Sequence, residues 1–591
     1  MAQQSTPLAT QKRPFSLRDC FGYMFGDFGN DFTFILQSTF FMLFYTNVIG
    51  INPAHVGLLF LGARILDAFT DVGMGIIVDR LPLKRPGYKF KRWIMFMAIP
   101  VALASAMMYM SFVASWEGYG SKLLWMCVTY FLWGSLCYTG INIPYGSMSS
   151  VISEDPDDRS KLSVFRSTGA NLASIAISTI MPLVVYITII DEAGKEMSVL
   201  SGPRMTIAAV ICSVLAVICY GLCYVNVEER VFSETKNKSE GGTGIGQMLA
   251  SLVRNRGLLT LVLAALFLLV SMMFLMGILG YLCLYWFGDG KLQSPTNLVG
   301  IAPGLLLVVL APILGKKFGK AESGAVAMLV GGGVLLLAFF LKVENPWLWM
   351  AFYAVAMFCI NIFNYLVWAF ITDVIDLQDV QTGERDDGTV YAVYSWARKL
   401  GQALAGWLLG AALGWIGFDA AAAKAQAPQS PEAINGIYTL AHILPGVGCL
   451  VVAAVLFFLY PLKKKVVKRN SEILHARREG QRHPEDPAPG QGGASNQPAY
   501  PAQVVVRPKS KVVAAVLAFF LGGAGIHNFY LGNVGRGIIQ LLMLLVGSLL
   551  AIFGIGFLLL VPLSIWVIIE FIMILVGSGS YGRDSNGVPL A

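Results

Sequence analysis

Residues Ala63–Asp79 read A-R-I-L-D-A-F-T-D-V-G-M-G-I-I-V-D and form most of an apolar segment running from about His55 to Asp79. Asp67 and Asp71 are four residues apart, so on a helix their carboxylates share one face. An ionisable group at membrane depth costs at least ~2.5–3.5 kcal/mol on insertion scales and faces a cavity or a partner. A same-face pair of buried carboxylates can bind a cation or carry a proton. The stretch therefore predicts a membrane helix in a protein that moves a solute by means of an ion gradient.

Composition extends that reading to the whole chain. Of 591 residues, 56% are hydrophobic and 13% charged. Runs of ~20 apolar residues, enough to cross a bilayer as a helix, recur throughout. They fall near 20–47, 55–79, 93–114, 123–146, 166–190, 205–226, 258–286, 297–315, 323–342, 346–371, 391–416 and 437–461. The runs are continuous rather than alternating, which selects helices over a barrel. Met1–Arg13 is polar without a cleavable-signal pattern, so the first span is expected to direct insertion.

The net charge of +8 is topological and does not indicate nucleic acid. Arg80, Lys84, Arg85, Lys89, Lys91 and Arg92 follow the second span, and Arg230, Lys236, Lys238, Arg254 and Arg256 separate the sixth from the seventh. Lys316, Lys317 and Lys320 follow the eighth, and Lys463, Lys464, Lys465, Lys468 and Arg469 the twelfth, while the alternate loops are poor in Lys and Arg. The positive-inside rule then predicts a multi-pass protein of the cell membrane with its N-terminus and later linker in the cytoplasm.

Six helices, a polar connector and six more helices is the plan of the major facilitator architecture, two bundles around a central cavity. The expected divisions are 1–225 for the first bundle, 226–257 for the connector and 258–462 for the second bundle. A Pro/Gly/Gln-rich stretch within 463–510 reads as a disordered cytoplasmic linker, followed by a small helical membrane module over 511–591. The fold class is an all-α membrane protein.

Beyond Ala63–Arg80, Phe25–Phe32 reads F-G-D-F-G-N-D-F and Tyr138–Gly146 reads Y-T-G-I-N-I-P-Y-G. D-V-I-D follows at Asp373–Asp376, T-G-E-R at Thr382–Arg385 and R-K-L-G at Arg398–Gly401. Together these resemble the glycoside–pentoside–hexuronide:cation symporter family, the melibiose-permease-like major facilitators. The resemblance implies a cation site at Asp67, Asp71 and Thr139, with Thr70 where the family's asparagine would stand between the aspartates. It implies a sugar site at Asp31 and Arg166. Asn30, Asn142 and Gly146 replace a lysine, an aspartate and a tryptophan there, so the substrate class carries over and the individual sugar does not.

The residues alone point the same way. Asp31, Asn142 and Lys399 lie inside apolar spans, and a lone charge there needs a partner. The Lys399 ammonium is expected to pair with Asp31, Asp67 or Asp71, and the structural alternative for Arg166 is a salt bridge to Asp31. Sugar hydroxyls suit carboxylate and guanidinium partners with an aromatic face beside them; Tyr145, Tyr365 and Trp368 are the candidate platforms. Asp79, Arg80, Asp373 and Asp376 sit at helix ends as coupling or gating residues.

No enzyme signature competes. Gly331–Gly333 lies within an apolar helix, and neither the five histidines nor the nine cysteines show metal spacing. No cofactor is expected beyond a transported Na+ or H+.

Near the C-terminus, Leu521–Gly532 reads L-G-G-A-G-I-H-N-F-Y-L-G, with Trp566 and Glu570 later. This resembles the small two-transmembrane-helix domain of bacterial membrane proteins, a candidate for a protein partner. The apolar stretch Gly537–Gly577 is too long for one straight span, so a bent helix or a tight helical pair is expected. The expected activity is cation-coupled symport of a sugar or glycoside by alternating access, in contact with membrane lipid. The rivals are symport of a lysolipid or another small solute on the same fold, and a non-transporting membrane sensor.

Overall fold

In the computed structural model, residues 13–80, 89–153, 155–190, 194, 196–230, 255–382 and 387–480 are described. Nearer the C-terminus, 509–511, 514, 515, 517, 518, 522–551, 557–577, 581 and 583 are described. Twelve long helices follow one another through the first part: α1 (Leu17–Ile49), α2 (Pro53–Arg80), α3 (Lys91–Met107), α4 (Tyr119–Ile152), α5 (Pro156–Val185) and α6 (Gly202–Asn226), then α7 (Arg256–Trp286), α8 (Gln293–Phe318), α9 (Lys320–Leu341), α10 (Pro346–Thr382), α11 (Asp387–Trp415) and α12 (Pro431–Leu459). Among the described residues, nine helices are long and apolar enough to cross a membrane. Those outside the nine include α2 and α11, which carry Arg64, Asp67, Asp71, Arg398 and Lys399.

Local sequence sets the helix starts. Ser201 and Ser430 accept the backbone N–H of Arg204 and Ala433, each with a proline in the first turn, and Asn255 caps α7 through Leu258 N. A cap of this kind satisfies one of the four N–H groups a helix start leaves open. Phe96, Leu103, Phe340 and Phe458 are exposed on the outer surface, as lipid contact requires.

α1 packs on α5 and α6, and α3 on α6; α9 packs on α10 and α12, and α7 on α11 and α12. These are the two bundles. They meet chiefly where α2 lies on α11 and α5 on α8. A Cβ on Gly57 would fall 2.8 Å from Trp407 O, so the α2 and α11 backbones touch there and only glycine fits.

Hydrogen bonds between the bundles gather at the end away from the connector. Thr46 Oγ1 and Tyr281 OH are 2.7 Å apart. Ser294 Oγ donates to Thr179 O at 2.6 Å and Asn297 Nδ2 to Ser178 O at 2.9 Å. The expected fifth span does not reach residue 190: α5 ends at Val185, and β1 (Tyr186–Ile190) pairs antiparallel with β2 (Glu196–Leu200). The β-branched run Ile187–Ile190 favours strand over helix. This hairpin joins the same seam, with Tyr186 OH donating to Gln293 Oε1 at 3.0 Å and Gly290 N to Ser198 Oγ at 3.1 Å.

At the connector end, buried Asp19 receives Arg13 and Arg230 at 2.9 and 3.0 Å. The Glu229 carboxylate, just past the end of α6, accepts the backbone N–H groups of Lys89, Phe90 and Lys91 at 2.6–2.8 Å, capping the start of the neighbouring α3. Residues 231–254 of the expected connector lie outside the described residues, as do residues 81–88. The linker reading of 463–510 is corrected at its start, because Lys464–Gly480 is a further helix, α13. Its first turn is held by Glu322, which accepts Lys464 N at 3.1 Å. Residues 481–508, with the Pro/Gly-rich run, lie outside the described residues.

The chain divides into two compact units, Met1–Ala476 and Arg477–Ala591. In the second, Gly537–Gly577 resolves into a helical pair, α14 (Val534–Ala551) and α15 (Phe557–Val576). Its core is polar. Glu570, 2% exposed, meets His527 Nε2 at 2.6 Å, Asn528 Nδ2 at 2.8 Å, Gln540 Nε2 at 2.6 Å and Trp566 Nε1 at 2.6 Å, together with Tyr581 OH. A carboxylate inside an apolar helix pair is tolerated because its oxygens are surrounded by partners.

Candidate functional site

Two helices build the carboxylate site by matching spacing. Asp67 and Asp71 are four residues apart on α2; Ser135 and Thr139 are four apart on α4. Ser135 Oγ donates to Asp67 Oδ1 at 2.6 Å, and Thr139 Oγ1 to Asp71 Oδ1 at 3.0 Å. The result is two parallel rungs one helical turn apart. Over Leu132–Tyr138 the α4 helix is widened, its backbone hydrogen bonds spanning five residues in place of four. Such local widening in a helix is frequent at functional sites.

Two cations complete the cluster. Arg64 Nη1 lies 3.4 Å from Asp67 Oδ2 on the same helix. Lys399 Nζ reaches across from α11 to Asp71 Oδ2, so of the three carboxylates open to it Lys399 takes Asp71. This contact joins the two bundles away from the seam at their ends. Arg398 cannot share that face and stacks on the Trp368 ring, 5.1 Å from its centroid. Thr70 turns back to its own helix, donating to Asp67 O at 3.3 Å, so its hydroxyl supports the carboxylate's backbone instead of adding a ligand between the pair.

The second cluster lies between α1, α4, α5 and α6. Here the expectation for Arg166 is corrected: its Nε pairs with Asp27 at 3.1 Å, one turn before Asp31. Asp27 and Asp31 share a face of α1, and the register of α5 puts the guanidinium at the earlier one. Asp31 is half-buried and makes no hydrogen bond or ion pair among the described residues. Asn30 donates to Asn142 Oδ1 at 3.4 Å and accepts Tyr220 OH at 2.9 Å. A Cβ on Gly146 would lie 3.9 Å from Arg166 Nη1, so the guanidinium has the room that a large ring there would take.

Tyr145 is corrected as a stacking platform. It is 1% exposed, stacked on Tyr23 at 4.6 Å, and its hydroxyl donates to Tyr23 O at 2.6 Å. Arg166 lies over the same ring at 5.3 Å. Both faces are engaged, so Tyr145 positions the guanidinium. Trp368, 45% exposed, has Arg398 on one face and Tyr394 edge-on at 5.4 Å.

Among the gating candidates, Asp373 is buried and pairs with Lys320 at 2.7 Å, tying α10 to α9 inside one bundle. A gate between bundles is therefore not what this pair forms. Asp376 is half-buried one turn further along. The side chains of Asp79 and Arg80 lie outside the described ones. Asp27, Ser135 and Arg64 are additions that the sequence reading passed over. Only Ser135 carried a signal, its four-residue spacing from Thr139.

The larger of two cavities, about 880 Å³, lies at the seam end among Asn47, Phe112, Ser198, Trp286 and Lys424, and none of Asp27, Asp31, Asp67 and Asp71 lines it. The charged clusters lie elsewhere, the Asp67/Asp71 cluster where Lys399 crosses between the bundles and the Asp27/Arg166 cluster within the first bundle. All nine cysteines are free, and among the described residues no group of three or more metal-ligating side chains occurs.

Residues 22–464 match the family model described as MFS/sugar transport protein, and residues 507–572 match the TM2 domain. The chain is 29% identical to the glucuronide carrier protein homolog of Escherichia coli (strain K12), over 77% of this chain and 94% of that one. It is 28% identical to a putative sulfoquinovose importer of the same strain, over 76% and 92%. An uncharacterised symporter of Bacillus subtilis (strain 168) is 29% identical over 80% and 98%. Among solved structures, a bacterial homolog of the human lysosomal transporter Spinster, inward-facing and unoccupied, superposes with a TM-score of 0.56. That match has 14% identity over 78% of this chain and 99% of the other, a likeness of fold.

Proposed function

This chain belongs to the MFS/sugar transport protein family, and we propose that it imports a sugar or glycoside together with Na+ or H+ by alternating access. It is a membrane transporter and not an enzyme. The observation that carries the coupling is the pair of rungs Asp67–Ser135 and Asp71–Thr139, with Lys399 of the opposite bundle on Asp71. Two carboxylates and two hydroxyls offer hard oxygen ligands to a small cation. A cation at Asp71 competes with Lys399, so loading the site releases a tie between the bundles.

The substrate is assigned to the second cluster, with Asp31, which has no hydrogen bond or ion pair among the described residues, as an acceptor, Asn142 and Asn30 as amide partners, and Arg166 as a donor. The glucuronide and sulfoquinovose relatives support an oxygen-rich sugar. Because each ligand acts on the balance between the two arrangements of the bundles, each strengthens the other equally. The basic loops support an orientation with the connector end, the N-terminus and the linker in the cytoplasm of a cell-membrane protein. On that orientation the hydrogen-bonded seam is the outer door, and it is shut. The bundles are assigned to 1–225 and 258–462, the connector to 226–257, and the module to 511–591. No cofactor takes part beyond the transported cation, and membrane lipid surrounds the bundles. The module is assigned a protein partner.

The test is a thermal-shift screen of purified protein against sugars, glycosides and hexuronides with sodium, lithium or neither, followed by counterflow in vesicles. Stabilisation by a sugar that deepens with a cation supports symport. Stabilisation by a lysolipid alone, or binding without counterflow, overturns it.

A further inference from the structure

A second cavity, about 210 Å³, opens between the bundles at α5, α7, α8 and α10. Asn171 and Ser174 line it from α5, Asn297 from α8, and Asn361, Asn364 and Tyr365 from α10. No aspartate, glutamate, lysine, arginine or histidine lines it, which sets it apart from both clusters described above. Met272, Met276 and Met357 supply its apolar wall.

The asparagines are the informative part. Asn361 is only 7% exposed, and its side chain makes no hydrogen bond among the described residues; exposed Asn171 and half-buried Asn364 make none among them either. Its amide atoms are not sealed away from the cavity that the residue lines, so they are open to a ligand there. An amide offers both a donor and an acceptor, the pairing that a hydroxyl group returns. The absence of charge in the lining argues against a phosphate or ammonium headgroup. The methionine wall suits the C–H face of a ring. The cavity's volume is on the order of seven water molecules, the scale of one small polar ring.

Resting on the sugar-transport reading, we propose that this amide-lined cavity is a subsite for the uncharged, hydroxyl-bearing part of the substrate, with Asn361 and Asn171 as its specificity-determining residues. They approach from opposite bundles, so a polyol held by both draws α5 and α10 together. The subsite lies beside the Ser178–Asn297 hydrogen bond of the outer seam, which places it next to the door that must reopen.

Asn361→Leu and Asn171→Leu in the full-length protein test the assignment. Wild type and variants are titrated with D-glucose, D-glucuronate, methyl β-D-glucopyranoside and monodeoxy analogues of each, in sodium, lithium and low pH, with melting temperature and affinity as readouts. The expected result is a loss of affinity of at least tenfold in Asn361→Leu, with an unchanged or higher melting temperature and an intact cation-induced shift. Discrimination between the sugar and one of its monodeoxy analogues disappears in that variant. Affinity within twofold of wild type in both variants overturns the subsite while leaving sugar transport standing. A wild type that none of these sugars stabilises under any cation condition removes the sugar reading and the subsite with it.

Discussion

Asp71 holds a hydroxyl of its own bundle on one oxygen and an ammonium of the other bundle on the second. Asp67→Cys or Asp71→Cys is expected to abolish gradient-driven accumulation, because each removes a membrane-embedded carboxylate. Normal accumulation at normal expression would sink the site. Lys399→Gln removes the competitor and is expected to raise cation affinity several-fold while weakening the cation's effect on sugar binding; cation titrations of the two proteins decide it. Arg166→Ala is expected to weaken sugar binding at least tenfold, since hydrogen bonds to charged groups contribute roughly 1.5–3 kcal/mol. It also leaves Asp27 unpaired, so melting temperature falls and Asp27→Asn restores it; if the double variant melts no higher than the single one, the pair is not what holds Arg166. That Asp67 and Asp71 gather Thr139 and Lys399 around them was legible, because depth and spacing both pointed at the pair. The Arg166 partner was not, since Asp27 and Asp31 satisfy the same helical face and only the register of α5 chooses between them.

Helices announced themselves by length, and their ends did not. Apolar runs marked α1 to α12, yet the run into Ile190 turns to strand, because the sequence's apolarity is continuous while its β-branched density changes. Likewise Lys464–Gly480 is helical despite its charge, through capping by a residue far away in sequence. Glu229 shows the same logic at α3, where one carboxylate takes three N–H groups and favours the positive end of the helix. Glu229→Ala is expected to cost about 2 kcal/mol, at the upper end of a lost cap, with Glu229→Gln intermediate. Thermal melts of the three proteins in one detergent check this, and equal midpoints would show that α3 starts without help.

Across the whole molecule, the twelve-helix unit closes on itself before the C-terminal module begins. The chain divides at Ala476 and Arg477, so truncation after Gly480 keeps α13 and its contact with Glu322. The truncated protein is expected to insert, bind sugar and transport at near full rate. Uptake at matched membrane abundance measures it, and a loss exceeding tenfold would make the module part of the transport machine.

The arrangement around Asp71 has an electrical consequence. Arg64, Asp67, Asp71 and Lys399 are two positive and two negative groups, so with all four ionised the site is neutral. One bound cation gives it a single positive charge. On the proposed symport the loaded and empty carriers differ by one charge, and each complete cycle moves it through the membrane voltage, about 2.3 kcal/mol for each 100 mV a full charge crosses. An inside-negative cell therefore drives the inward cycle, and current recorded from the transporter should flow with sugar and cation together.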